Sequence, residues 1–295
     1  MSEILNIISL DKSFGQKKVL ENFNMTLQEG KVYGLLGNNG EGKTTLIRMI
    51  MGIIPSNKGE IFYKNQKIEF KHSAYKKEIG YIPEESFFYS WMTIKDLLDL
   101  NSSFYPKWNS KKAHEFLERF SLDNKVRIRT LSRGMKLKLG LIVALASEPE
   151  LLILDDPTSG IDVPTRQDFL KGIIRELSEA GTTILFSTHL IHELEKIVDH
   201  LGILHNRHLI LDEDYQKVKN AAKRVRITFK DSFPENIGID GVLKEQREGN
   251  IADLVIYPWD KVMEKQIEAL SPIRWDIEPL SLEEIFISFV SKNEK

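Results

Sequence analysis

The stretch Lys31 to Ile50, KVYGLLGNNGEGKTTLIRMI, constrains this chain more than any other. Val32, Tyr33, Leu35 and Leu36 form an apolar run that reads as a buried strand, and Leu46, Ile47, Met49 and Ile50 fall on one face of a helix. Between them Gly37-Asn38-Asn39-Gly40-Glu41-Gly42-Lys43-Thr44 fits the phosphate-binding pattern G-x-x-x-x-G-K-[ST]. The spacing has a physical reason. Glycines let the backbone curl until successive N–H groups point at one anion, and the following helix presents its positive N-terminal end. In such a loop Lys43 reaches the β- and γ-phosphates and the Thr44 hydroxyl binds Mg²⁺. Strand, loop and helix in that order predict an α/β fold that binds a nucleoside triphosphate.

The 295 residues suffice for one large domain or two smaller ones. A hydrophobic content of 41 % allows a sizeable core, and a formal net charge of −2 gives no global signal for nucleic acid. The absence of cysteine excludes disulfides and thiolate metal sites. No apolar run approaches the roughly 18 residues of a membrane span. The opening MSEILNIISL lacks the basic flank and long apolar core of a signal peptide, so the expected location is cytosolic, with docking on a membrane protein left open.

Taken in order, Ile4 to Ser9 and Val19 to Leu27 read as strands flanking a loop, Lys12 to Lys17. Phe14 in that loop is a ring that can stack on a nucleotide base, a contact worth ~1–3 kcal/mol, or simply a partly buried turn residue. Gly59 to Tyr63 and Lys67 to Phe70 read as short strands, and Ile79 to Glu85 as a strand entering a loop. Thr93 to Leu100, Lys111 to Phe120 and Met135 to Ala146 then have helical spacing. They form a helical insertion at about 86–148, in which Trp91, Phe104, Tyr105 and Trp108 read most simply as an aromatic core.

Leu151 to Asp156 is four apolar residues ending in two carboxylates. An all-apolar strand suits a parallel sheet covered on both faces, and ligands of such sheets bind at the carboxyl edge. Asp155 therefore suits the Mg²⁺ site and Asp156 a contact to attacking water. Helix Pro164 to Ala180 and strand Thr182 to Ser187 follow, ending at Thr188-His189. His192, His200, His205 and His208 fit no zinc spacing and read as surface or turn histidines; Ile203-Leu204 and His208 to Asp212 read as a hairpin. From about residue 220 the character changes. Val225 to Phe229, Ala252 to Tyr257 and Ile273 to Ile277 are expected strands, Lys244 to Asn250 a polar loop, and Asp260 to Leu270 and Leu282 to Ser291 helices. Lys223 to Arg226 reads as a solvated strand edge.

These ordered motifs resemble the ATP-binding subunit of an ATP-binding-cassette (ABC) transporter over roughly residues 1–215. The resemblance implies a P-loop NTPase fold with a helical subdomain at residues 1–219, followed by a small α+β C-terminal domain at 220–295. It makes Phe14 the adenine-stacking ring and Gly37, Asn38, Asn39, Gly40, Glu41, Gly42, Lys43, Thr44 and Thr45 the Walker A loop. Leu131 to Met135 holds the family signature, Leu151 to Asp156 is Walker B, Ser159 to Asp162 the D-loop and His189 the switch histidine. Three positions depart from the family pattern. Glu84 stands for the Q-loop glutamine, where it can still bind Mg²⁺ or a water, and Arg133 and Met135 alter the signature, leaving Ser132 and Gly134 to contact ATP. Asp156 replaces the usual glutamate, and its shorter arm predicts that glutamate there would keep or raise the rate.

The family's assembly rule pairs two subunits around two ATPs, each loop facing the partner's signature. Ser132 before an apolar helix is an expected N-cap, which makes that helix end a second anion site. A homodimer, or a heterodimer with another such subunit, satisfies both sites. The expected function is ATP hydrolysis, with Asp156, His189 and Glu84 catalytic and Thr44, Asp155 and Glu84 on Mg²⁺, powering export through a separate membrane permease. The departures and the segment Ile277 to Phe286 look like ABC-2-type bacterial exporters of drugs, bacteriocins and antimicrobial peptides. That places the chain peripherally on the cytoplasmic face of the membrane, with no nucleic-acid partner. The alternative is a soluble ABC ATPase working on ribosomes or DNA. Such proteins usually carry two cassettes, a long coiled-coil insertion or a strongly basic face, none of which is evident here.

Overall fold

The computed structural model describes residues 2–70, 73–85, 87–230 and 238–293. The chain opens with β1 (Glu3–Phe14), β2 (Lys17–Gln28), β3 (Val32–Leu36), α1 (Lys43–Ile50), β4 (Lys58–Tyr63), β5 (Gln66–Lys67) and β6 (Ile79–Ile82). The helical region holds α2 (Ile94–Ser102), α3 (Ser110–Arg119) and α4 (Arg133–Ala146). Then come β7 (Leu151–Asp155), α5 (Val163–Ala180), β8 (Thr183–Thr188), α6 (Ile191–Leu194), β9 (His200–His205), β10 (His208–Asp214) and α7 (Tyr215–Ala221). The chain finishes with β11 (Lys223–Thr228), β12 (Val242–Glu248), β13 (Ile251–Ile256), α8 (Lys261–Ala269), β14 (Arg274–Pro279) and α9 (Leu282–Lys292).

Among the described residues the strands form three sheets. The central one has order β10-β9-β3-β8-β7-β6 and is parallel except at β10, which returns antiparallel from β9. Its inner strands β3, β7 and β8 are buried at every residue, as a sheet covered on both faces requires. Strand alternation sorts their side chains into two cores. Tyr33, Leu35, Leu151, Ile153 and Leu185 pack with Leu46, Ile47 and Ile50 of α1 and with the antiparallel sheet β2-β1-β4-β5. Val32, Leu36, Leu152, Leu154 and Phe186 pack on the other side with the helices, including α4, α5 and α9. The register puts Leu36 opposite Thr188 and Asp155 opposite Ser187, so the strand ends that carry chemistry lie at one edge of the sheet.

The third sheet, β12-β13-β11-β14, is antiparallel and has its own core against α8, built from Val225, Ile227, Leu254, Ile256 and Ile267. Leu243 and Val255 on its opposite face join the larger core together with Leu282, Ile285 and Phe289 of α9.

Several expectations are corrected. Lys244 to Asn250 is not a loop, because β12 runs through Glu248 at a sheet edge. An edge strand with a wet face needs few apolar residues, and here only Leu243 is buried. The strand expected over Lys67 to Phe70 is just Gln66–Lys67, closing a hairpin through Lys64 and Asn65 in the left-handed region, and Phe70 is exposed. Phe14 ends β1, opposite Lys17, and does not sit in a loop. The aromatics of the insertion are not one core: Trp91 is 66 % exposed and contacts Tyr89, while Tyr105 stacks on Trp108.

Candidate functional site

The loop after β3 is shaped by its glycines. At Gly42 the backbone turns to φ 111°, and a Cβ there would lie 2.9 Å from a methyl of Val19, so only glycine fits. Gly42 is also the N-cap of α1 and supplies no side-chain acceptor, which leaves the first N–H groups of the helix to whatever occupies the loop. Lys43 Nζ donates to the carbonyls of Gly37 at 2.5 Å and Asn38 at 3.0 Å. Burial lowers the Lys43 pKa, while Asp156, Asp155, Glu41 and Glu84 raise it. The charges of four carboxylates are thus felt at Lys43, although its Nζ is bonded only to backbone carbonyls.

Alternation gives the two carboxylates at the end of β7, Asp155 within it and Asp156 just past it, different surroundings. Asp155 points to the α1 side and is 1 % exposed. Its Oδ1 accepts from Thr44 Oγ1 and from Ser187 Oγ, both at 3.0 Å. Burial raises the Asp155 pKa, those two hydroxyls lower it, and the charges of Glu84 and Asp156 push it up again. Asp156 lies past the strand end at φ 46°, a left-handed conformation that aspartate tolerates better than most residues. Its N–H donates to the Ser187 carbonyl, Thr188 Oγ1 donates to Oδ1 at 3.2 Å, and Oδ2 lies 2.6 Å from His189 Nδ1. The carboxylate holds the Nδ1 proton and frees Nε2 of His189 for the opposite side of the ring.

The loop and Asp156 open onto one pocket of about 340 Å³, whose lining includes neither Asp155 nor His189, each of which sits behind a residue that does line it, Thr44 and Asp156 respectively. Phe14, Asn39, Gly40, Gly42, Lys43, Thr44, Thr45, Glu84 and Asp156 line it, together with Lys17 and Val19. Gly37 and Asn38 back the loop as acceptors for Lys43, and Glu41 turns its carboxylate to His205. Ser132 and Gly134 contribute nothing to this lining. Ser132 is the N-cap of α4, its Oγ accepting from Met135 N at 3.2 Å. Gly134 has a packing reason inside the chain, since a Cβ there would lie 2.8 Å from Thr165 Cγ2. Among the described residues no three acidic or imidazole side chains converge on one point, and Glu84 is in the pocket lining.

Sequence reasoning missed Lys17, Ser187, Thr188 and His205. Ser187 and Thr188 carried a signal: polar residues closing an otherwise apolar strand beside an acidic one. His205 was expected as a surface or turn histidine; it ends β9 beside the turn at Asn206 and is 4 % exposed, which corrects the surface reading. A second cavity of about 360 Å³ shares Glu84 and is lined by Phe87, Phe88, Arg133, Leu137 and Pro157 among others.

The sequence pattern of the ABC transporter family matches residues 20–159. The ABC transporter ATP-binding protein YtrB of Bacillus subtilis (strain 168) is 31 % identical over 285 residues, 97 % of each chain, so the similarity takes in the C-terminal sheet. The bacitracin transport ATP-binding protein BcrA of Bacillus licheniformis is 34 % identical over 233 residues, 76 % of this chain and 74 % of that one. Among solved structures, an ATP-binding subunit of an ABC transporter superposes with a TM-score of 0.67 at 25 % identity, covering 73 % of this chain and 92 % of its own.

Proposed function

The chain belongs to the ATP-binding subunits of ABC transporters, and from that premise we propose that it powers export of a drug-like or antimicrobial-peptide substrate through a separate membrane-spanning subunit. Family membership makes it an ATPase. Export is supported by the bacitracin transport function named for one relative. The observation that carries the site reading is the single pocket in which Phe14, the glycine-rich loop, Glu84 and Asp156 meet above the Thr44–Asp155 pair.

In this reading Phe14 stacks on the adenine, and Lys43 exchanges its two carbonyl acceptors for the β- and γ-phosphates. Mg²⁺ fits the donor set, a hydroxyl and a buried carboxylate that already touch, and when bound it neutralises phosphate charge. Thr44 and Asp155 would hold it, with Glu84 facing it from the pocket wall. Asp156 orients the attacking water, and His189, positioned through Nδ1, presents Nε2 to the γ-phosphate.

The α4 N-terminus lies outside the pocket lining, which supports an assembly in which Ser132 and Gly134 serve a second subunit, identical or related. The exposed Phe87, Tyr89 and Trp91, beside the cavity that shares Glu84, suit a docking face for the membrane subunit. No helix among the described residues is long and apolar enough to cross a membrane, in keeping with peripheral attachment at the cytoplasmic face. A net charge of −2 favours a protein partner over nucleic acid. The division at residue 219/220 is supported by the separate core of the third sheet.

The test is ATP affinity of Lys43→Ala by calorimetry. Removing the loop's lysine, the cation placed to meet the β- and γ-phosphates, is expected to weaken binding roughly 100-fold or more. Wild-type affinity would overturn the placement of the site.

A further inference from the structure

Glu41 is an acid placed inside the phosphate loop, between Gly40 and Gly42. Nothing in phosphate binding calls for a carboxylate there, and its charge is felt at Lys43. In this fold it is held away. Glu41 Oε1 lies 3.0 Å from His205 Nδ1, with the two side chains only 16 % and 5 % exposed. Asn206 Nδ2 donates to His205 Nε2 at 3.0 Å, so the ring proton sits on Nδ1 and is donated to Glu41.

The histidine is itself fixed from three sides. It is the last residue of β9, whose Ile203 lies level with Leu36 at the end of β3. The preceding residue, Leu204, sets its carbonyl against the start of the loop, where a Cβ on Gly37 would lie 2.7 Å from it. The following turn, with Asn206 and Arg207 at φ 47° and 75°, is tied to β2 by the Glu21 N–H donating to the Arg207 carbonyl at 3.1 Å. Two successive residues of β9 therefore brace the two ends of the phosphate loop.

We infer that His205 is a positioning residue for ATP binding, which keeps the Glu41 carboxylate out of the phosphate cradle. Released from His205, that carboxylate is an anion one residue before the α1 N-cap. There it competes with phosphate for the loop's N–H groups and repels the triphosphate. The inference rests on the phosphate-site reading above and adds the device that makes an acidic residue tolerable in it.

A double-mutant cycle with the full chain and MgATP tests this, read by calorimetry and accompanied by thermal melting. His205→Leu fills the buried space without a donor, whereas His205→Asn keeps a donor near the Nδ1 position. In the Glu41 background His205→Leu is expected to weaken ATP binding roughly 10- to 100-fold, the range of a hydrogen bond to a charged group. His205→Asn is expected to recover most of that loss. In the Glu41→Gln background the same His205→Leu change is expected to cost less than about threefold, since no carboxylate is left to release. An equal loss in both backgrounds would make His205 a packing residue and overturn the inference, as would unchanged affinity in the Glu41 background. Lys43→Ala separates the failures: if it binds ATP normally the site itself is misplaced, and if it does not while the cycle shows no coupling, only the role of His205 is wrong.

Discussion

Replacing Asp156 by glutamate and by asparagine separates the length of its arm from its charge. Asp156 is 7 % exposed, and its carboxylate already lies 2.6 Å from His189 Nδ1, with Thr188 Oγ1 on its other oxygen. Glutamate adds one C–C bond, which projects the carboxylate roughly 1.3 Å further. That overruns the His189 contact, and the left-handed backbone at φ 46° is less favourable for glutamate than for aspartate. A misplacement near 1 Å costs on the order of 10²-fold in rate. The shorter arm by itself favours a kept or raised rate in Asp156→Glu, whereas the His189 contact and the backbone at Asp156 favour a loss. Asp156→Glu is expected to lower kcat about 10- to 100-fold. Asp156→Asn keeps the shape but loses the charge that orients water and histidine, and is expected to lower kcat about 10²- to 10³-fold. Both variants are expected to bind ATP within about threefold of wild type, since neither change touches the phosphate loop. The assay is steady-state phosphate release beside calorimetric ATP binding. A wild-type rate in Asp156→Asn would refute its role in activating water, and a wild-type or faster rate in Asp156→Glu would refute the argument from arm length.

Three further outcomes are expected. Burial raises the Asp155 pKa above its ordinary value, so the folded chain keeps a proton that the unfolded chain has released, and stability falls as pH rises between the two values. Asp155→Asn removes that penalty and should raise the Tm of the nucleotide-free protein at pH 7, by about 2–4 °C per kcal/mol, with the gain shrinking towards pH 4 while hydrolysis is lost; a lower Tm at pH 7 contradicts this. Ser132→Arg should leave ATP binding by the isolated subunit intact and abolish steady-state turnover, and weakened binding in the monomer argues against a site completed by a second subunit. Trp91 is 66 % exposed, so Trp91→Ala should leave melting and ATP affinity unchanged while reducing co-purification with the membrane subunit; unchanged co-purification and transport remove that face from consideration.

The central sheet was legible because burial on both faces demands apolar strands, and Val32 to Leu36, Leu151 to Leu154 and Thr183 to Phe186 stand out as such. The helices of the insertion were legible for a related reason: each turns one face to a core, as Leu97, Leu98, Phe116 and Leu117 do. β12 was not legible. At a sheet edge its residues Lys244 to Glu248 meet solvent on most sides, so no alternation is imposed on them. Trp91 misled for the opposite reason, since a large ring signals burial unless something outside the chain is to cover it.

In the site, what could be read was whatever depends on position along one strand. Asp155 and Asp156 are neighbours in sequence, yet alternation sends the first to Thr44 and Ser187 and the second past the strand end to Thr188 and His189. Their separate chemistry follows from that division, and the polar ending of β8 already held one partner of each, Ser187 and Thr188. The Glu41–His205 contact has no such signature. It joins residues 164 apart through the register of β9 on β3 and a two-residue turn, neither of which leaves a period in the sequence. A histidine at the end of a hairpin strand therefore looks like any solvated turn residue until the neighbouring strand is known. The general consequence is that a loop motif specifies which backbone groups meet the phosphates, while the side chains that keep the loop open come from the adjacent strand and have to be found in three dimensions.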